Sequence, residues 1–297
     1  RPRVLQTWMY HANFIGSIAS KFVGNVSVVW GIRHSNLTQE ASKKSTVWVT
    51  KACVPLSKRI PAKIICCSEA SKRIHAELGY DGKKMAVIPN GVDVSAFKPD
   101  AEARSSVRKE LGIAPDAPLI GFVARFNPQK DHENFFKAAK ALLEKKPGVY
   151  FALCGEGVTP QNDMLSNWLK EMGITRSVFL LGRRDDIPRL AASFDVATLT
   201  SNSGEAFPNV LVEAMACGVP CVATDIGDSA YIIGDTGFVV PPKEPEALAH
   251  SWLKVLEMPH EERRVLGEKA RERVATNFDI SIVAAKYEAL YNETIAY

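Results

Sequence analysis

No apolar run in the 297 residues reaches the roughly eighteen that a membrane-spanning helix needs. No low-complexity tract and no internal repeat occurs, so fibrous and solenoid architectures are excluded. Cysteine is sparse: Cys53, Cys66, Cys67, Cys154, Cys217 and Cys221 stand among apolar neighbours, with no C-x-x-C pair and no His nearby. That pattern predicts reduced, buried thiols in a cytoplasmic protein rather than a zinc site or a disulfide framework, and no metal is expected. Acidic residues are scarce at one end. Residues 1–99 carry 5 Asp+Glu against 15 Lys+Arg, a balance of +10, whereas residues 100–297 carry 28 against 22, a balance of −6. A basic half attracts anionic lipid headgroups, a lipid-diphosphate acceptor or nucleic acid. Nucleic acid is the weaker partner, because the cations are dispersed and no aromatic-basic interleave accompanies them, and a solvated basic surface without a partner stays open. With 46% hydrophobic and 24% charged residues, what remains is an ordinary globular chain, long enough for two domains.

The stretch from Leu199 to Asp228 organises the chain. Turn formers at Ser201 to Gly204 are followed by a lone carboxylate, Glu205, then an apolar run, Val210 to Cys217, closed by Gly218 and Pro220. Cys221 to Thr224 reads as a buried strand, so the stretch is a βαβ unit. A helix starting near Asn209 turns the N–H groups of Asn209, Val210 and Leu211 outward, where the helix dipole favours a phosphate. Glu213 sits one turn inside that helix among apolar neighbours, which leaves little solvated face to which it could belong. With seven residues between Glu205 and Glu213, one carboxylate can meet a sugar and the other a ribose; a plain amphipathic helix is the alternative.

Other polar residues fall at the carboxyl ends of strands, where open α/β sheets bind ligands. A strand from Val26 to Trp30 runs into the turn Gly31 to Asn36 and so places His34 there; His11 opens a helix earlier. Leu119 to Ala124 is a buried strand ending in Arg125-Phe126-Asn127-Pro128-Gln129-Lys130-Asp131. Arg125 and Lys130, brought to one ligand, would neutralise a diphosphate and stabilise its charge on departure; a solvated loop is the alternative. A strand from Val149 to Cys154 leads to Gly155-Glu156-Gly157, which lacks the third Gly of a dinucleotide fingerprint. Another, Val178 to Leu181, leads to Gly182-Arg183, and Asp185-Asp186 is expected to cap the next helix rather than bind metal.

The segment E-A-F-P-N-V-L-V-E-A-M-A-C-G-V-P-C-V, Glu205 to Val222, resembles the E-x7-E segment of the retaining glycosyltransferases of family four. I-P-N-G-V-D at 88–93 and the stretch 121–131 resemble the same family. The resemblance implies an α/β GT-B fold of two Rossmann-like, doubly wound parallel-sheet domains. The expected division is a partial acceptor-side domain at 1–99, a nucleotide-sugar domain at 100–280 and a helix at 281–297 crossing back to the first. The first domain is expected to be incomplete, because the family's opening strand and Gly-rich loop have no counterpart before Val4.

By resemblance, Arg125 and Lys130 hold the donor diphosphate with the N–H groups after Phe207-Pro208, at Asn209, Val210 and Leu211. Gly155 and Arg183 lie along the nucleotide, Glu213 holds the ribose and Glu205 the donor sugar. His34 lies near the anomeric carbon, with His11 on the acceptor side. The implied reaction is metal-free transfer from a nucleotide-diphosphate sugar, UDP-linked, to a saccharide or lipid-linked saccharide in polysaccharide or lipopolysaccharide synthesis. The leaving phosphate itself accepts the acceptor's proton. The expected place is the cytoplasm, with the inner membrane face as a peripheral partner. The rivals are a nucleotide-sugar-binding fragment without transfer activity, and a GT-B epimerase or phosphorylase.

Overall fold

The computed structural model describes residues 2–35 and 44–295. Their contacts fall into two compact units: Arg1–Gly91 with Gly204–Phe207 and Ile280–Tyr297, and Val92–Ser203 with Pro208–Asp279. The division departs from the expected boundaries at one telling place. Gly204–Phe207, expected inside the second domain, packs with the first unit, where Ser35 Oγ donates to the Glu205 carbonyl at 2.5 Å.

The first unit runs β1 (Val4–Trp8), α1 (Met9–Val23), β2 (Ser27–Ile32), α2 (Lys44–Arg59), β3 (Lys63–Cys66), α3 (Glu69–Glu77) and β4 (Met85–Val87). Its four strands are parallel and adjacent in chain order. Val28 to Ile32 is buried throughout, as expected of a strand covered on both faces. One face carries Tyr10, Trp30, Cys53, Ile64 and Tyr80; the other carries Val29, Ile65 and Ile88. Buried polar groups are paired. Trp30 Nε1 donates to Ser17 Oγ (2.9 Å), and His75 lies between Tyr10 Oη (2.9 Å) and the Ser71 carbonyl (2.7 Å). Because a carbonyl only accepts, His75 Nδ1 carries the proton and Nε2 accepts from the tyrosine. Burial pushes this imidazole down to about 4, which keeps it neutral in that role.

The second unit runs α4 (Ala101–Leu111), β5 (Leu119–Val123), α5 (His132–Lys145), β6 (Tyr150–Cys154), α6 (Asp163–Met172), β7 (Val178–Leu180), α7 (Ile187–Ala191), β8 (Val196–Leu199), α8 (Asn209–Ala216), β9 (Cys221–Thr224), α9 (Ser229–Ile233), β10 (Gly237–Val240), α10 (Pro245–Glu257) and α11 (His260–Asn277). Its six parallel strands lie in the order β10-β9-β8-β5-β6-β7. From β5 the chain builds outward to β7, returns, and builds outward the other way from β8. The order therefore reverses between β5 and β8, which are hydrogen-bonded neighbours, and that reversal opens a crevice at their carboxyl ends. Ahead of β5, α4 is capped by Asp100 Oδ1, which accepts from Ala103 N (2.8 Å), and is stopped by left-handed Gly112.

The final helix, α12 (Ile280–Ile295), belongs to the first unit. Val283 and Leu290 join the apolar face of β2, β3 and Ile88, and Lys63 pairs with Glu293 at 2.7 Å. Asn36, Ala296 and Tyr297, which closed two of the sequence-based elements, lie outside the described residues.

Candidate functional site

Four loops meet at the carboxyl end of the second unit's sheet, and backbone contacts lock them together. The loop after β5 bears Arg125, exposed, and Lys130, half-buried. Asn127 caps its short 3₁₀ turn, its side chain accepting from Gln129 N at 2.9 Å. The loop after β8 holds this turn from the other side. Thr200 Oγ1 donates to the Lys130 carbonyl (2.7 Å), Asn202 N to Gln129 O (2.9 Å), and Asn202 Nδ2 to Pro128 O (3.0 Å).

Gly155, at the end of β6, lies against the backbone that leads into Arg125. A Cβ there would stand 2.1 Å from the Ala124 carbonyl oxygen, so only glycine permits the approach. Phe126 N donates to Glu156 O (2.7 Å), and Gly155 N to Gly182 O (2.9 Å), which brings the Gly182-Arg183 turn alongside. Arg183 is exposed. Lys130, Arg125, Gly155 and Arg183 thus stand on adjoining loops along one edge of the sheet.

α8 rises beside them from Pro208, a residue without a capping side chain, and its first turn contains no carboxylate. No carboxylate in that turn repels an incoming anion. One expected donor is turned aside: Leu211 N points back to the Pro208 carbonyl at 3.2 Å. Glu213 is half-buried beside Val123, Thr198 and Val210. Desolvation raises its pKa, an arrangement that favours hydrogen-bonded hydroxyl partners over bulk water. The opposite end of α8 is secured by Arg271, which donates to the Ala216 carbonyl and also to Phe97 O (3.0 Å) and Val94 O (3.2 Å). A cation there complements the helix dipole.

The first unit gathers the remaining candidates. His34 follows β2, half-buried, and burial lowers its pKa. Its carbonyl accepts from Ser71 Oγ at 2.9 Å. The next residue, Ser35, holds the Glu205 carbonyl, and Phe207 is buried in the same group. His11 lies exposed on α1. Glu205 therefore packs with the His34 loop in the first unit, while Glu213 stays on the sheet of the second unit.

Asp186 also departs from expectation. It occupies the N-cap position of α7 without capping it, because its carboxylate accepts from Arg184 Nε (2.7 Å) and Arg189 Nη1 (2.8 Å) instead. These partners hold it well below the usual carboxylate range. Thr200, Asn202, Ser35 and Ser71 have no site role in the sequence reading. The polar run directly after the β8 strand was the available signal for the first two. Among the described residues no cluster of three His, Cys, Asp or Glu is placed to hold a metal ion, and all six cysteines are buried and in no disulfide.

The family model described as glycosyl transferases group 1 matches residues 103–273, and that of glycosyltransferase family 4 matches residues 1–96. UDP-Gal:alpha-D-GlcNAc-diphosphoundecaprenol alpha-1,3-galactosyltransferase of Escherichia coli is 26% identical over 98% of this chain and 76% of its own length. N-acetyl-alpha-D-glucosaminyl L-malate synthase of Bacillus anthracis is 30% identical over 74% of this chain and 56% of its own. The chain thus spans about half to three quarters of the length of these two relatives. The crystal structure of Anabaena HepE in complex with UDP and glucose superposes with a TM-score of 0.86 at 25% identity, over 98% of this chain and 78% of that one. The chain belongs to the glycosyl transferases group 1 family and has the α/β GT-B fold.

Proposed function

We propose that the chain is a retaining glycosyltransferase that moves a hexose from a UDP-sugar to a saccharide or lipid-linked saccharide acceptor in cell-surface polysaccharide synthesis. What supports this reading is that the loop after β5, which bears Arg125 and Lys130, and the start of α8, which no side chain caps, both follow strands at the point where the strand order of the second unit reverses. Two cations and a helix N-terminus are suited to a diphosphate and, more strongly, to the charge it gains on leaving. Glu213 takes the ribose hydroxyls, the turns at Gly155 and Arg183 flank the nucleoside, and Glu205 meets the donor sugar. His34, with His11 further out, serves the acceptor side. The bond from the anomeric carbon to the UDP oxygen breaks as the acceptor oxygen bonds to the same face. The acceptor's proton passes to the departing phosphate oxygen.

The E. coli relative is named for UDP-Gal and a diphosphoundecaprenol-linked acceptor, and the Anabaena structure contains UDP with glucose; both favour this donor and acceptor class. Among the described residues no helix is long and apolar enough to cross a membrane. Peripheral attachment at the inner membrane face is the placement that suits a basic first unit and a lipid-linked acceptor. The test is incubation with labelled UDP-hexoses and a diphosphate-linked saccharide, reading the product's anomeric configuration by NMR. Transfer with the donor's configuration kept is expected. UDP-sugar binding without transfer would assign the chain to the binding-module class instead, and inverted product would overturn the stereochemistry.

A further inference from the structure

One cation of the first unit is held in place without being neutralised. Arg33 follows β2 at the carboxyl edge of the sheet, and its guanidinium lies over the Trp8 ring, 4.4 Å from the centroid. Nη1 donates to Asn90 Oδ1 and Nη2 to Tyr287 Oη (3.2 Å). All three supports are neutral: an indole, an amide and a phenol. No ion pair forms at Arg33 among the described residues, and none of residues 2–35 or 44–68 is Asp or Glu. Elsewhere in this unit charge does tie α12 down, through Lys63 and Glu293, so a structural staple of opposite charges is available to the fold and is not used at Arg33.

The seat beneath it is built into the strand. Trp8 lies against Gly31, where a Cβ would stand 2.3 Å from the indole, so β2 gives up a side chain to receive the ring. The guanidinium is thereby fixed before any ligand arrives, with two of its five N–H donors engaged and the rest available in a planar fork. It adjoins His34 directly in the chain. A fixed, exposed, uncompensated guanidinium is matched in shape and charge by a phosphate oxygen pair.

We propose that Arg33 binds an anionic phosphate or diphosphate group on the acceptor, with Trp8 as its positioning residue. The proposal rests on the transferase reading, in which the first unit receives the acceptor. Inorganic pyrophosphate is the first probe, titrated calorimetrically into protein already saturated with UDP so that the second unit's diphosphate site is filled. Wild type is expected to bind pyrophosphate. Arg33→Gln weakens that binding about ten- to hundredfold, the range of a lost charge-assisted contact, and Trp8→Leu, which keeps the cation and removes its seat, weakens it less.

UDP affinity stays unchanged in both variants. Equal pyrophosphate binding in wild type and Arg33→Gln, or none in wild type, overturns the proposal. Failure of UDP to bind at all overturns the transferase reading instead, which keeps the two outcomes apart. A second arm identifies the source of the phosphate. Arg33→Gln is expected to raise the KM for a diphosphate-linked saccharide and to leave that of the same saccharide without phosphate unchanged. An equal rise in both contradicts an acceptor-borne anion.

Discussion

Replacing both Arg125 and Lys130 by Ala is expected to weaken UDP binding by about two to four orders of magnitude, because each charge-assisted contact to phosphate contributes about 1.5–3 kcal/mol. Neither side chain is part of the hydrophobic core. Arg125 is exposed and Lys130 half-buried, and the loop is shaped by backbone and side-chain bonds from Asn127, Thr200 and Asn202 that the substitutions leave in place. The double variant should therefore keep the loop's shape. Calorimetric titration with UDP, alongside a thermal melt, checks both halves. A loss below tenfold with unchanged stability would remove the diphosphate from this loop.

The second large effect lies at the opposite end of the same sheet and serves as its control. Asp195, just before β8, accepts from Arg104 Nη2 (2.7 Å), from Arg108 Nη2 (2.7 Å) and from Leu119 N at the start of β5 (2.8 Å). Arg108 is 1% exposed. Desolvation, the largest influence on this guanidinium, pulls its pKa down, and the Asp195 carboxylate opposes that pull. Asp195→Ala leaves a buried cation facing only the carbonyls of Ser193 and Ala117. Such a change costs about 3–5 kcal/mol. Urea unfolding should show the loss as a lower midpoint with an unchanged slope. Because Asp195 stands at the amino ends of the strands, UDP affinity of the folded fraction should match wild type. A cost below about 1 kcal/mol would mean that the pair is not the support that its burial and geometry imply.

What the sequence disclosed, and what it did not, follows from the range of the interactions involved. Leu119–Val123 and Val196–Leu199 are continuous apolar runs between turn formers, and such runs declare parallel strands locally. The cations and glutamates could be placed at strand ends for the same reason. α4 was hidden because its sequence, AEARSSVRKEL, is mostly polar and shows only Ala103, Val107 and Arg108 to the interior.

Asp186 was misassigned because an N-cap and an arginine pair look alike in one dimension. Arg184 and Arg189 outcompete the backbone for its oxygens. The packing of Gly204–Phe207 with the first unit depends on Ser35, 170 positions from Glu205. The seat of Arg33 likewise draws on Asn90 and on Tyr287, 254 positions away. Neither leaves a local trace.

The central claim is that the reversal point of the second sheet is the nucleotide-diphosphate site. Backbone amide NMR of the labelled protein during titration with UDP tests it most directly. Shift changes concentrated at Arg125–Asp131, Gly155, Gly182-Arg183 and Asn209–Glu213, and saturating with UDP, are the predicted result. Changes centred elsewhere on the chain, or none at saturating UDP, would contradict it.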